Sequence, residues 1–421
     1  MPKFSTLWTG QLLSALGSTT MAFGLNVWIF KTSGSMAYLS IDMLLASLPI
    51  IFLSPLSGII ADRYNRRHII LIADVIGITV AGTLAILSHT GNITIATVYS
   101  CVFLQACAGT LRWPAYQALI GEVVSQEKRR HAAGMLQISD AASQIAAPAI
   151  GGALFAAAGT MGVIVCDFVG YMLAIGTSLL IRETIKGRAS ERRESLLASL
   201  DFAWTTLKRD AIVTNLLAFN ASINAVIGLI TILATPIILS FANSRALGMV
   251  TSTSLSGMLI GGVASIYIGK TENQTKLICA FSVAASLAIV AAPIVANPFW
   301  FAGCGFIFFF SVAVINSAIQ LIWQNRLPTD IQGRIFSIKR AIVFLVLPIS
   351  YIIAPTLSTI CEDLARRHLP ISFLDIANRY SPNQTGAGLL LCLSGFCLLG
   401  ITPLCLMRRK LWVHRLPTIR P

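Results

Sequence analysis

"GIIADRYNRRH", Gly58 to His68, gathers one acid and three arginines in a 421-residue chain that is 55% hydrophobic and only 11% charged. Apolar runs of membrane length flank it, Ala37 to Ala61 before and Ile69 to Ser88 after. A soluble core has no need of such uninterrupted runs, so the charged stretch reads as a short loop between two membrane helices.

Working outward from this loop, the chain holds twelve apolar runs long enough to span a bilayer. An even number puts both termini on one side. The loops on that side carry 25 Lys and Arg against five on the other, which makes the shared side cytoplasmic. The formal net charge of +14 therefore reports topology, and no nucleic-acid partner is expected. The first run, Leu7 to Phe30, is too long for a signal-peptide core and has no small-x-small cleavage site behind it, so it reads as a retained span.

The longest cytoplasmic connection, 182–210, separates an N-terminal six-helix bundle, 1–181, from a C-terminal one, 211–407, with a basic tail at 408–421. In the connection, Leu196, Leu200, Ala203 and Leu207 recur at helical spacing beside Arg192, Arg193, Lys208 and Arg209. That pattern predicts a basic amphipathic helix on the inner leaflet, a solvated linker being the alternative. The fold class is all-α and polytopic, and two six-span halves joined in this way suit a transporter with its site at the midplane.

The nine cysteines form no C-x-x-C pair, and most lie in apolar runs, where cysteine behaves as a small hydrophobe. The five histidines fall at span ends, in loops or in the tail. No metal site, cofactor or convergent catalytic set is expected, so the chain does not read as an enzyme.

With the spans in place the loop becomes recognisable. Gly58, Asp62, Arg63, Arg66 and Arg67 resemble the G-x-x-x-D-R-x-G-R-R/K signature of the major facilitator superfamily. Asn65 replaces the second glycine, and Asn is the non-glycine residue that best tolerates left-handed backbone. "WTGQLLSALGS" (Trp8–Ser18), "TSGS" (Thr32–Ser35), "WPAYQALI" (Trp113–Ile120), "LPTDIQGRIFSI" (Leu327–Ile338) and "TGAG" (Thr385–Gly388) follow in order along the chain. Together they resemble the branch that contains macrolide-efflux and enterobactin-type siderophore exporters.

The resemblance implies a bacterial cytoplasmic (inner) membrane protein in which this loop is a cytoplasmic latch, Asp62 facing the start of span eleven near Gly333. Physical features fit such a role. Gly58 allows close helix approach, Asp62 can accept from free N–H groups at a helix N-terminus, and Arg66 and Arg67 can pair with an acid such as Glu122. The alternative, arginines that merely set topology, leaves Gly58 and Asp62 unexplained.

Ionisable groups inside spans are costly and mark function by default. Asp42, Asp74, Arg112, Asp140 and Asp167 all lie in the first half, and in the second only Lys339 and Arg340 approach a span. A rise of about 1.5 Å per residue puts Asp74 roughly 8 Å into span three and Arg112 roughly 12 Å up span four from the same face, which predicts a structural ion pair. Asp42, near the outer end of span two, reads as wet. Asp140 lies roughly 15 Å into span five, near mid-depth, and is the first candidate for proton coupling, Asp167 the second. Satisfaction of Asp140 by Ser139, Ser143 or Arg112 is the structural alternative. Many drug antiporters carry an arginine midway along span four; that place holds Gln105 here, with Arg112 seven residues later on roughly the same face.

"AAPAIGG" (Ala146–Gly152) is similar to the antiporter G-P-x-x-G-G motif, Ala147 replacing the first glycine. Pro148, Gly151 and Gly152 would bend the helix and let it pack closely, a plain proline kink being the alternative. Asn26, Trp28, Gln105, Gln137, Asn220, Asn224, Asn316 and Gln320 are candidate cavity residues; helix glue is the other use for such amides. Amides among aromatics, with no fixed charge deep in the second half, suit a bulky amphipathic ligand. With export and antiport implied by the resemblance and the span-five motif, the expectation is a monomeric proton antiporter exporting an amphipathic small molecule, such as a siderophore, macrolide-like compound or peptide metabolite. Its partners are that substrate, protons and membrane lipids, and a lipid or lysophospholipid flippase of the same fold is the alternative.

Overall fold

The computed structural model describes residues 2–124, 128–180, 211–268, 273–326, 329–368 and 385–406; the predicted linker helix and basic tail lie outside them. Among the described residues there are eleven α-helices and no strand. They are α1 (Pro2–Ser33), α2 (Met36–Arg63), α3 (Arg66–His89), α4 (Ile95–Val123), α5 (Arg129–Leu179), α6 (Ala211–Phe241), α7 (Ser244–Ile268), α8 (Gln274–Ala291), α9 (Pro298–Arg326), α10 (Thr329–His368) and α11 (Thr385–Leu406).

All eleven helices are long and apolar enough to cross a membrane, and α5 crosses twice. Its apolar stretch of 46 residues would run about 69 Å as one helix, more than twice a hydrocarbon core of about 30 Å. It breaks at Gly159, whose φ of 62° and ψ of −151° are open only to glycine. Twelve crossings result. Gly34 (φ 65°) and Gly91 (φ 72°) make the α1–α2 and α3–α4 turns in the same left-handed way, so within α1 to α5 all three turns on the side opposite the arginine loop use a glycine.

Two helices differ in length from the sequence reading. α8 gives way to a 3-10 turn at Ala292–Ile294, where Pro293 has no N–H for the α-helical ladder. α10 continues past Ile360 to His368, its last turns carrying the Glu362–Arg366 ion pair at 2.7 Å.

The chain forms two compact units. Among the described residues, the first holds α1 to α5 with Ala234–Leu255, and the second holds the rest of α6 and α7 with α8 to α11. In the first unit, Gly10, Gly17 and Gly24 recur every seven residues along one face of α1. A β-carbon on Gly17 would sit 2.9 Å from the Asp167 α-carbon, and one on Gly24 would sit 2.6 Å from the Val163 side chain. Gly170 returns the contact, 2.8 Å from the Leu13 carbonyl oxygen. The backbones of α1 and the second arm of α5 therefore touch, the packing that small residues permit in lipid.

Two apolar clusters cap the first unit's interior. One gathers Phe4, Leu7, Ile70, Ala115, Leu119 and Ile120 at the arginine-loop end, and the other gathers Met21, Leu25, Ile29, Leu39, Val80 and Leu84 towards the opposite end. Along α1, α3 and α4 the stretch between these clusters is polar, and there the charges meet.

Candidate functional site

Gln11, Ser14 and Ser18 lie at i, i+3 and i+7 and share one face of α1. Opposite them, Asp74 of α3 is fully buried and accepts from Gln11 Nε2 at 2.9 Å and from Arg112 Nη1 of α4 at 3.0 Å. The same Arg112 nitrogen donates to Ser14 Oγ at 3.2 Å. Its guanidinium lies 5.9 Å from the centre of the Tyr171 ring, within cation–π range. That ring fits because α3 offers Gly77, where any β-carbon would strike it.

Asp167, on the second arm of α5, is also fully buried. Its Oδ1 accepts from Ser18 at 2.8 Å and its Oδ2 from Gln105 Nε2 at 3.0 Å. Gln105 Nε2 spends its other hydrogen on the Tyr171 hydroxyl at 3.1 Å, so that amide nitrogen is fully used. Gln105 and Arg112, two turns apart, thus both reach Tyr171, and one continuous network runs from Gln11 and Asp74 to Asp167 and Ser18. The sequence reading did not single out Gln11, Ser14, Ser18 or Tyr171. Their signal was the helical spacing of polar residues on α1 beside the seven-residue glycine stripe.

Asp140 is placed differently. Its side chain lies on the protein's surface and is not enclosed by other side chains, and the buried hydroxyls of Ser139 and Ser143 have no partner. Asp42 is 4% exposed with Oδ1 unpartnered, so it is not the wet residue expected near a helix end.

In the arginine loop the structure revises two expectations. Asn65 has φ −62° and ψ 116°, so it is not left-handed; its Oδ1 accepts from the Arg67 N–H at 3.0 Å and caps the N-terminus of α3. Among the described residues Gly58 mediates no close approach, since a β-carbon there would meet none of them within 4 Å. Arg67 donates to the Ser178 and Leu179 carbonyls, both at 3.0 Å, where α5 ends and carbonyls lack helical partners. Arg66 donates to the Ala61 and Ala118 carbonyls at 3.4 Å, and Arg63 is exposed. The side chains of Asp62 and Glu122 and the surroundings of Gly333 lie outside the described residues. Asn65→Gly, which restores the signature glycine, is expected to cost only a few tenths of a kcal/mol, whereas Asn65→Ala costs about 1 kcal/mol. Thermal unfolding of the two variants in detergent measures the difference.

The "AAPAIGG" segment packs against α7. A β-carbon on Gly152 would lie 2.5 Å from the Ser244 carbonyl oxygen, and one on Gly248 would strike the Pro148 carbonyl. The Ala149 N–H, beside the proline, donates to Ser252 Oγ at 2.9 Å. Gly151 meets α1, its β-carbon position 3.0 Å from the Thr20 carbonyl oxygen.

The remaining cavity candidates divide. Trp28 packs on the Met21–Leu25–Ile29 cluster, Gln137 is exposed, and Asn26 keeps a buried Oδ1 without a partner. In the second unit Asn220 Nδ2 donates to Asn316 Oδ1 at 2.9 Å, and Asn224 Nδ2 donates to the Asn220 backbone carbonyl at 2.9 Å, so these amides tie α6 to α9. Gln320, one turn beyond Asn316, accepts from Lys339 Nζ at 3.4 Å. That bond corrects the expectation of a second half without charge in its interior. No cluster able to hold a metal ion occurs among the described residues.

Twelve apolar crossings, with a buried layer of paired charges inside the first unit, suit a polytopic membrane transporter. The comparisons agree: the chain belongs to the transmembrane secretion effector family of the major facilitator superfamily, whose family model matches residues 1–348. It is 26% identical over 357 residues to macrolide efflux protein A of Streptococcus pyogenes, an alignment covering 84% of this chain and 88% of that one. The Enterococcus faecalis protein of the same name is 26% identical over 321 residues, covering 75% and 99% of the two chains. Among solved structures, a bacterial homologue of the lysosomal transporter Spinster, inward-facing and occupied, matches with a TM-score of 0.74 at 14% identity, covering 99% of this chain and 98% of that one. The nucleoside transporter NupG matches with a TM-score of 0.70 at 12% identity, covering 99% and 100%. At such identities these structures speak for the fold.

Proposed function

We propose that this protein is a proton-coupled exporter that moves an amphipathic small molecule outward across a bacterial inner membrane, with both termini cytoplasmic. The observation that carries the reading is the charge balance of the buried layer. It contains two carboxyls, Asp74 and Asp167, and one guanidinium, Arg112, which is bonded to Asp74. With all three ionised the layer holds one uncompensated negative charge, which lipid surroundings make costly. A single proton on Asp167 balances it. Asp167 is therefore the coupling carboxyl, and Ser18, Gln105 and Tyr171 are the groups that exchange hydrogen bonds when it gains or loses that proton. Asp140, exposed and unbonded, is the second site through which protons pass.

The relatives named for macrolide efflux support drug-like cargo, and siderophores and peptide metabolites fall in the same amphipathic class. Arg66 and Arg67 brace the arginine loop against α2, α4 and α5, and the loop serves as the cytoplasmic latch with Asp62 as its acid. The Pro148–Gly152 contact with α7 serves as the seal on the opposite face.

Export into everted vesicles of a fluorescent amphiphile, driven by an imposed pH gradient, tests the coupling. Asp167→Asn is expected to lose gradient-driven accumulation while keeping substrate exchange. Undiminished gradient dependence in Asp167→Asn removes Asp167 from the mechanism, and the same loss in Asp140→Asn alone transfers the role to Asp140.

A further inference from the structure

Among the described residues, the second unit holds a cation with no acid to meet it. Lys339, about three turns into α10, is half-buried, and its ammonium sits 4.9 Å from the centre of the Trp323 ring. Trp323 is itself fully buried. An ammonium has three donors, and the one hydrogen bond Lys339 makes is the 3.4 Å contact to Gln320 Oε1. No Asp or Glu occurs anywhere in 211–268 or 273–326, the segments that form α6 to α9. The amides nearby are committed to each other, Asn220 to Asn316 and Asn224 to Asn220. A cation inside a membrane bundle normally has a named counter-charge. Here the protein supplies an aromatic face and one amide oxygen, which hold the ammonium in position without neutralising it.

Gln320 connects this cation to a space that a ligand can enter. A cavity of about 390 Å³ is bounded by Ser265 of α7, Gln274 of α8, and Ser317, Gln320, Leu321 and Gln324 of α9. Its size is in the range of small-molecule sites. Five of these six residues at the wall carry amides or hydroxyls, and the charge stands just behind Gln320.

We infer that Lys339, presented by Trp323 and Gln320, anchors the acidic head of the transported amphiphile, so that the cargo bears a carboxylate, sulfonate or phosphate. This rests on the exporter reading above and narrows it: among amphipathic molecules, acidic ones are accepted and purely cationic amines are disfavoured. Gln320 is the positioning residue, giving up its bond to Lys339 when the anion arrives. An acidic metabolite and a lysophospholipid share this chemistry, and the head group alone does not distinguish them.

The test compares two probes that differ by one charge, 8-anilinonaphthalene-1-sulfonate and N-phenyl-1-naphthylamine. Binding to the full chain in nanodiscs is measured against empty nanodiscs, and export into everted vesicles is measured in parallel. The wild type is expected to favour the sulfonate by about tenfold, the effect of one hydrogen bond to a charged group. Lys339→Gln loses that preference while binding the neutral probe as before, which also shows that the variant is folded, and Lys339→Arg retains it. Displacement of the sulfonate by lysophosphatidate or by a soluble aromatic carboxylate supports the anchor in either case and identifies the source of the anion. If the wild type binds and exports both probes without preference, the Lys339 assignment falls and the exporter reading stands. If the wild type exports neither probe, both fall.

Discussion

Asp74→Ala is expected to destabilise the first unit by about 3–5 kcal/mol, because it leaves the Arg112 guanidinium inside the bundle without the carboxylate it is bonded to at 3.0 Å. Both ions in this pair have given up water, and the cost of that is met by their mutual attraction and by the hydrogen bonds from Gln11 and to Ser14. Removing one ion leaves the other's desolvation uncompensated. Removing both does not, so Asp74→Asn with Arg112→Gln is expected to recover most of the lost stability. Thermal unfolding of the single and double variants in detergent closes the cycle. A single variant as stable as the wild type sinks the pair as a structural element. The double variant has a second use: with Arg112 gone, Asp167 is no longer within reach of a cation. The net charge of the layer is unchanged by the double substitution, so a loss of coupled transport in a protein of restored stability then shows that Asp167 needs the neighbouring guanidinium, and not merely the fold, to work.

How much of this could be read from the sequence depends on how many residues a signal spans. Twelve crossings are legible because apolar length is summed over twenty residues and local substitutions average out. The meeting of Asp74 and Arg112 needs only helix rise and span order. Single positions are another matter. Asn65 was read through backbone tolerance, whereas its side chain does the work, as an N-cap of α3. Gly58 was read as a contact, whereas the glycines in backbone contact include Gly17, Gly152, Gly170 and Gly248. A glycine shows only that a side chain is absent; which backbone fills the space depends on the partner helix. Gln11, Ser14 and Ser18 were invisible for a related reason, since small polar groups in a span serve equally as packing, as self-capping of the helix or as network members. Lys339 was placed at a span start and taken as a topology marker. Only the positions of Trp323 and Gln320 show that its ammonium points into the bundle.

Gly152→Leu is expected to abolish transport, and the reason is steric before it is functional. A β-carbon at Gly152 already lies 2.5 Å from the Ser244 carbonyl oxygen and 3.0 Å from the Gly248 α-carbon, so the smallest side chain must push backbone away, with no flexible side chain there to yield. Gly248→Ala meets the Pro148 carbonyl in the same way. Overpacking of this kind costs about 1–3 kcal/mol. The proline adds a second tie: it cannot donate to the helix ladder, and its neighbour Ala149 donates across to Ser252 Oγ instead. An exporter that must part and re-form this contact in each cycle feels the cost only in the closed form, so the equilibrium moves towards the parted form by roughly 5- to 150-fold. The alanine variants are therefore expected to fold and bind substrate but to slow by that factor, with Gly152→Leu beyond it. Ser252→Ala, which removes one hydrogen bond worth about 1 kcal/mol, slows about fivefold. Initial transport rates give the order, and thiol labelling of Ser252→Cys in a cysteine-free background reports the seam directly, faster when Gly152 is enlarged. Transport at wild-type rates in Gly152→Leu means that α5 and α7 never part there, and the seal then has to be sought on another pair of helices.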